Sequence, residues 1–403
     1  MKRLYKQVIL AHFKEHRQML FLMGPRQVGK TTTSMDVMQE WGESYYFNWD
    51  NEKHRQLLLQ GAETLANEIG LNKLQKAPIL VVFDEIHKYS GWKNFLKGFY
   101  DTFPTEVRIL VTGSARLDYV KKGGDSLMGR YLRYRIHPLS VAEVLHPEPA
   151  QQEIRQQPLP LDQDQFASLL KYGGFPDPFL KNSVRFWNQW KGLRAEQLFR
   201  EDLRDLTRIQ EIAQLEVLAE ILRYQAGQLT SYESLSKKVR VSSNTIRSWL
   251  EALRAFYYCF ELRPWSINIT RSLLKEPKYY LWDWSLCEDA GMRTENFIAC
   301  HLQKAVHFWT DYGFGDYKLY YLRDKDKREV DFIITRNQKP WVLVEAKSSN
   351  NKEISSSLHY FHKLTNAPHA FQVVMDLPFV SQDCFQYKNP VIVPASTFLS
   401  QLI

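Results

Sequence analysis

The sequence has little that would place a chain in a membrane, outside the cell or in a disordered class. Even a strongly apolar run such as Ala77–Phe83 covers seven residues, whereas a spanning helix needs about 20. Cysteine is scarce: Cys259, Cys287, Cys300 and Cys384 lie scattered, without metal-ligand spacing or a disulfide framework. The start, Met1-Lys2-Arg3-Leu4-Tyr5-Lys6, runs into a stretch broken by His12, Lys14, Glu15 and Arg17, which leaves no room for a signal-peptide core. The expected location is therefore the reducing cytoplasm, with no membrane partner. No repeat of fixed period is present. At 403 residues, 44% apolar and 24% charged, the chain has the composition of a folded protein of two or three domains.

The alternation of short apolar runs with amphipathic stretches predicts α/β structure up to about Leu145. Candidate strands are Met19–Met23, Tyr45–Asn48, Ile79–Phe83, Arg108–Thr112 and Leu132–Ile136. Ile79–Phe83 is apolar throughout, as a strand buried on both faces of a parallel sheet must be. The next stretch, His146–Gln165, is rich in Pro, Gln and Asp and reads as a linker. A helical region follows to Glu216, broken at Gly173-Gly174-Phe175-Pro176.

Between the first strand and its following helix stands Gly24-Pro25-Arg26-Gln27-Val28-Gly29-Lys30-Thr31-Thr32. Its first eight residues match the phosphate-binding loop G-x-x-x-x-G-K-[ST]. The backbone N–H groups of such a loop, and the helix N-terminus behind it, point at phosphate oxygens. Lys30 reaches the β- and γ-phosphates of ATP, and Thr31 holds Mg²⁺. Asp84 and Glu85 end the third strand. Asp84 fits a second position at the Mg²⁺ ion, and Glu85 a general base for an attacking water. At the end of the fourth strand, Thr112 or Ser114 is placed to orient that water, with Ser114 favoured. Arg130, with Arg133 and Arg135 as competitors, is a candidate arginine finger for a neighbouring subunit.

Further on, Tyr232–Val239, capped by Ser231, predicts a short helix. A turn at Arg240–Ser242 leads to a second helix over Asn244–Phe256, with Ser243 as its cap. Such a pair has the helix-turn-helix form, and Tyr257–Leu262 with Lys278–Trp282 would be the strands of a wing. Of the net charge of +8, a net +5 falls between Thr230 and Tyr280. Lys237, Lys238 and Arg240 are candidates for DNA phosphate contacts, and Asn244, Thr245 and Arg247 for groove contacts.

The carboxy-terminal part contains two strands, Arg328–Ile334 and Trp341–Lys347. A turn centred on Gln338 gives partners whose numbers sum to 676, which opposes Asp331 to Glu345. Lys347 shares their face. Two carboxylates and a lysine make a Mg²⁺ site for water activation.

These motifs carry a resemblance. Residues 1–145 resemble the AAA+ ATPases, with a Walker A loop, Walker B as Asp84-Glu85, a sensor-like strand end and a late arginine. Thr112-Gly113-Ser114, Gly129-Arg130, Pro138-Leu139-Ser140 with Glu143, and Gly173-Gly174-Phe175-Pro176 look like a prokaryotic AAA-type subfamily with a C-terminal domain of unassigned function. That resemblance extends over nearly the whole chain. It implies a helical lid, for which Arg185 and Arg194 are candidate nucleotide-sensing residues. The Asp331, Glu345 and Lys347 pattern looks like the PD-(D/E)xK nuclease fold. Glu295 stands where that fold adds a helical glutamate, and Val330 where it has proline.

The implied architecture is α/β in four parts: an AAA+ P-loop core (1–145), a linker and lid (146–216), a winged helix (217–285) and a restriction-endonuclease-like α/β domain (286–403). The implied function is ATP hydrolysis coupled to binding and remodelling of DNA, or translocation on it, by a homo-oligomer, open or closed into a ring. The alternatives are an ATP-regulated, Mg²⁺-dependent DNA nuclease and a nucleotide-switch ATPase acting on a protein.

Overall fold

The computed structural model describes residues 1–113, 127–203, 209–265, 276–349 and 353–403. They form two compact units, Met1–His137 with His146–Pro149, and Pro138–Leu145 with Ala150–Ile403.

The first unit is built on a parallel sheet of β1 (Met19–Met23), β2 (Ser44–Asn48), β3 (Ile79–Asp84), β4 (Val107–Gly113) and β5 (Tyr131–Arg135), in the order β2-β3-β4-β1-β5. The central strands β1 and β3 are buried at every residue, so their unbroken apolar runs follow from burial on both faces. β4 lies between β1 and β3, with Thr112 opposite both Asp84 and Leu22. This order brings the carboxyl ends of β1, β3 and β4 to one edge. Helix Trp92–Thr102 packs its Trp92, Phe95, Leu96 and Phe99 stripe into the core. There Phe83 meets Phe95 and Phe99 edge-on at 5.8 and 6.0 Å, a favoured aromatic geometry.

In the second unit, helices Gln163–Tyr172, Pro176–Lys181 and Val184–Glu196 are followed by a wide-turn helix, Gln197–Leu203. Helices Ile212–Tyr224, Tyr232–Val239 and Ser243–Ala255 then share one core with β6 (Cys259–Leu262) and β7 (Lys278–Leu281). β6 and β7 pair as an antiparallel ribbon. The cap of Ser243–Ala255 is Ser242, whose hydroxyl accepts from the Thr245 N–H. The expected cap, Ser243, is instead the first helical residue. The turn, Arg240–Ser242, lies where the sequence puts it, with Arg240 left-handed at φ 61°.

Helix Ala290–Asp311 leads into a mixed sheet of β8 (Tyr317–Arg323), β9 (Glu329–Arg336), β10 (Lys339–Lys347), β11 (His369–Val374) and β12 (Val391–Pro394), in the order β12-β11-β10-β9-β8. β8, β9 and β10 are antiparallel neighbours; β10, β11 and β12 run parallel.

Pro138–Leu145 is anchored within this second unit. The Leu139 N–H donates to the Gly174 carbonyl at 2.6 Å, and the Ser140 hydroxyl to the Ile403 carbonyl at 2.6 Å. Lys304, on helix Ala290–Asp311, forms an ion pair with Glu143 and donates to the Pro138 carbonyl at 3.1 Å. One turn earlier, His301 Nε2 accepts from the Val141 N–H at 3.1 Å, while its Nδ1 lies 2.8 Å from the Phe297 carbonyl. The imidazole is thus held neutral, with the proton on Nδ1.

Burial, with a smaller contribution from Lys304, pushes the His301 pKa down to about 3. In the unfolded chain it titrates near its ordinary value of about 6.5. Between those values the unfolded chain binds the proton and the folded one does not, so stability falls as pH falls. The expected loss attributable to His301 is about 2 kcal/mol between pH 7.5 and 5. His301→Gln should flatten that dependence. Urea midpoints at the two pH values, for both proteins, check it.

Candidate functional site

The Gly24–Thr31 loop leaves the carboxyl end of β1 and closes into helix Lys30–Trp41. Gln27 and Gly29 are left-handed, at φ 60° and 96°, which curls the chain before the helix. Gly24 admits no side chain, because an added Cβ would lie 2.3 Å from the Ile136 carbonyl oxygen. Lys30 donates to the Gly24 and Pro25 carbonyls at 2.9 and 2.7 Å, which holds its ammonium over the mouth of the loop. Arg3 supports the loop from below: its buried guanidinium donates to the carbonyls of Val28 and His137. No motif marked Arg3 in the sequence.

Asp84 accepts from three hydroxyls: Thr31 at 3.0 Å, Tyr46 at 2.5 Å and Thr112 at 2.6 Å. The carboxylate is therefore fixed in orientation beside the Thr31 oxygen. Two hard oxygens from Thr31 and Asp84, next to a phosphate-binding loop, fit the donor preference of Mg²⁺. Tyr46 was not anticipated; it lies on β2, paired with Val82, two residues before Asp84.

Glu85 adopts a left-handed backbone at φ 56°. Non-glycine residues hold such a conformation at a cost of about 1–2 kcal/mol, and strain of this kind gathers at functional sites. Its Oε2 is buried without a hydrogen-bond partner, 3.5 Å from His87 Nε2 and 3.7 Å from Lys88 Nζ. Burial raises its pKa despite Lys30 and Lys88 nearby. A carboxylate so placed is a stronger base than one in water.

Thr112 is spoken for by Asp84, and Ser114 lies outside the described residues. Arg130 lies at the opposite edge of the sheet, where its carbonyl accepts from the Met19 N–H. Its guanidinium makes a two-pronged ion pair with Asp101, both bonds 2.9 Å. It is therefore remote from the loop of its own chain, and a finger role requires a neighbouring copy. Arg133 and Arg135 lie on β5, Arg135 opposite Met23 at the loop edge. Arg194 is engaged within its own unit. It lies 3.3 Å from Asp283 and 3.8 Å from the Phe175 ring, inside the second unit. Arg185 is exposed on the same helix.

In the second unit the structure brings Asp331, Glu345, Lys347 and Glu295 together. The Ala346 N–H donates to Asp331 Oδ2 at 2.8 Å, and Lys347 Nζ to Glu345 Oε1 at 2.8 Å. Glu345 Oε2 is buried without a partner. Burial, then Glu295 and Glu345, push the Asp331 carboxyl well above the ordinary range, and burial also raises Glu345. Tyr280 donates to Glu295 Oε1 at 2.6 Å, and the buried Lys278 lies 3.4 Å from the same oxygen.

The expected metal site is thereby corrected: among the described residues no group of three or more His, Cys, Asp or Glu is placed to hold a metal ion. The register is as expected but the turn is not. Asn337 and Gln338 are both left-handed, so the turn is centred between them. An extra residue at Trp341 then shifts the pairing, from Pro340 opposite Thr335 to Val342 opposite Ile334.

On the helix pair, Lys237, Lys238, Arg240, Asn244 and Arg247 are exposed. Lys237 pairs with Glu233 at 2.8 Å, and Arg247 lies over the Tyr232 ring at 5.2 Å. Thr245 departs from the expected contact set: its hydroxyl, half-buried, is 2.8 Å from Ser242 Oγ and completes the helix cap. No helix among the described residues is long and apolar enough to cross a membrane.

Comparison with known proteins places these features. Residues 16–145 match the family described as AAA domain, residues 163–296 a domain of unknown function (DUF8612), and residues 290–384 a second such domain (DUF4143). An uncharacterized protein of Mycobacterium tuberculosis is 24% identical over 354 residues, 84% of this chain and 72% of that protein. One of Haemophilus influenzae is 23% identical over 353 residues, 80% of this chain and 81% of that protein. Among solved structures, a Walker-type ATPase of Pyrococcus abyssi aligns over 70% of this chain and 93% of its own, at 15% identity and a TM-score of 0.44. The amino-terminal part of the chain is thus similar to AAA domains and carries their phosphate-binding loop, and two regions similar to domains of unassigned function follow it.

Proposed function

We propose that the protein hydrolyses ATP at the edge formed by Gly24–Thr32, Asp84 and Glu85, and that hydrolysis drives remodelling of DNA, or movement along it, held by the second unit. The ATPase reading rests on one observation above all. Asp84 is locked by three hydroxyls beside Thr31, and the next residue, Glu85, offers an unpartnered oxygen of raised basicity.

In this reading the loop N–H groups and Lys30 bind the β- and γ-phosphates. Thr31 and Asp84 would hold Mg²⁺, which neutralises phosphate charge. Glu85 takes a proton from water as the water oxygen bonds to the γ-phosphorus and the bond to the β-γ bridging oxygen breaks, releasing ADP and phosphate. Arg130 of a neighbouring copy would stabilise the charge that develops, which makes a homo-oligomer, open or ring-shaped, part of the proposal.

The DNA reading is supported by the exposed cations flanking a helix pair joined by a three-residue turn, with a two-stranded ribbon behind it. We read this as a winged-helix form, which would offer its second helix to a groove. Lys238, Arg240, Asn244 and Arg247 are its expected contacts. Replacing both Lys238 and Arg247 by Ala should weaken duplex binding and reduce the slope of log affinity against log salt by about 1 for each phosphate no longer neutralised.

The deciding assay is ATP turnover with and without single-stranded, duplex and branched DNA, with Lys30→Ala as the blank. Stimulation by DNA supports the motor. Turnover indifferent to DNA, together with no salt-dependent binding, removes it in favour of a nucleotide switch that acts on a protein. A nuclease reading is favoured by the adjacency of Asp331, Glu345 and Lys347; it requires Mg²⁺-dependent cleavage that Asp331→Ala abolishes.

A further inference from the structure

Strand β7 carries a charge into the carboxylate cluster. Its first residue, Lys278, is 3% exposed. The Nζ lies 2.6 Å from Glu329 Oε1 and 3.4 Å from Glu295 Oε1. The ammonium is thus held between two carboxylates.

Two residues on, Tyr280 binds the same Glu295 oxygen at 2.6 Å. Room for Glu295 at the ribbon comes from Gly227, where an added Cβ would lie 2.9 Å from Glu295 Oε1. Four carboxylates, Glu295, Glu329, Asp331 and Glu345, thus gather around β7, β9 and β10. Lys278 is a counter-charge brought in from another element. Glu345 Oε2 stays buried and unpartnered, the mark of a cluster still short of one cationic neighbour.

We propose that Lys278 is a tethered counter-ion, which neutralises the Glu295, Asp331 and Glu345 cluster in place of a divalent cation and competes with Mg²⁺ or Mn²⁺ for it. This inference goes beyond the function proposed above and requires neither ATP hydrolysis nor DNA binding. It accounts for the hold of both Lys278 and Tyr280 on Glu295 Oε1. It also gives the ribbon a task. β7 pairs with β6, which follows helix Ser243–Ala255, and Lys278 itself bridges to Leu229 ahead of the helix pair. The ribbon thus carries the ammonium to the cluster.

The test is Mn²⁺ binding to the full chain, followed by the loss of the free-ion paramagnetic resonance signal. Lys278→Gln removes the charge and should bind Mn²⁺ at least ~tenfold more tightly than wild type, because a full charge at about 3 Å is lost from the cluster. Lys278→Arg keeps the charge and should bind no more tightly than wild type. Equal affinity in Lys278→Gln and wild type overturns the proposal.

A second readout needs no substitution, and so decides the matter even where a variant does not fold. In wild type, Lys278 should resist an amine-reactive label until Mn²⁺ is added, then react in step with Mn²⁺ occupancy. Mn²⁺ bound with Lys278 still protected overturns the proposal equally.

Discussion

Glu85→Gln should lower kcat for ATP hydrolysis at least ~100-fold, the contribution of a well-placed general base, and leave nucleotide affinity within a few-fold of wild type. The amide keeps the size of the side chain and its left-handed backbone, but accepts no proton. Lys30→Ala and Asp84→Asn should lose nucleotide or metal affinity as well, so the ratio of binding to turnover separates the roles. Wild-type kcat carries a further signature. Glu85 acts as the carboxylate, and burial raises its pKa. Activity should therefore fall, as pH is lowered, through a midpoint above the ordinary range for glutamate. A profile flat down to the unperturbed value of about 4.3 would remove Glu85 as the base.

The second large effect is on stability. Lys304 and Glu143 are 1% and 0% exposed and paired with each other. Removing one member leaves the other charge buried without its counter-ion, which costs about 3–5 kcal/mol. Lys304→Ala should therefore lower the thermal midpoint of the second unit by about 10 °C and release Pro138–Leu145 from helix Ala290–Asp311. Replacing both, with Lys304→Met and Glu143→Leu, should recover most of the loss, because an apolar pair of similar volume avoids the desolvation penalty. A double-mutant cycle in urea separates the two terms. If the single and double replacements cost the same, the ion pair does not hold the segment.

The strands of the first unit were legible in the sequence because each buried strand is an unbroken apolar run, and the phosphate-binding loop because its chemistry demands a fixed spacing. The first strand and the helix Tyr232–Val239 have the bounds that the sequence suggests. What escaped is what depends on contacts far apart in the chain. Arg3 reads as one basic residue in a basic start, yet it lies against Val28 and His137. Tyr46 reads as half of an aromatic pair in a strand, and its hydroxyl becomes legible only once β2 is known to run beside β3. Lys278 reads as one more cation in a basic segment; burial among three carboxylates gives it the opposite meaning. Thr245 sits where a groove contact is expected, but its hydroxyl is drawn to the cap because Ser242, not Ser243, precedes the helix.

The extra residue at Trp341 sets the parity of a whole strand. Were the pairing to continue from Pro340 opposite Thr335 without it, Glu345 would face Val330 and not Asp331, since side chains alternate between faces along a strand. The insertion aims Trp341 at Trp309, Tyr317 and Phe385, with ring separations of 5.4, 5.5 and 6.3 Å. Those rings therefore hold the count. Deletion of one residue here removes the extra residue and leaves Glu345 opposite Asp331, whereas deletion of two acts on β10 as a frameshift acts on a gene: every residue downstream moves by one place, and the acids separate although neither has been altered. Among natural relatives that keep both carboxylates, a β10 one residue shorter should accordingly lack the extra residue at Trp341 and pair with β9 without interruption.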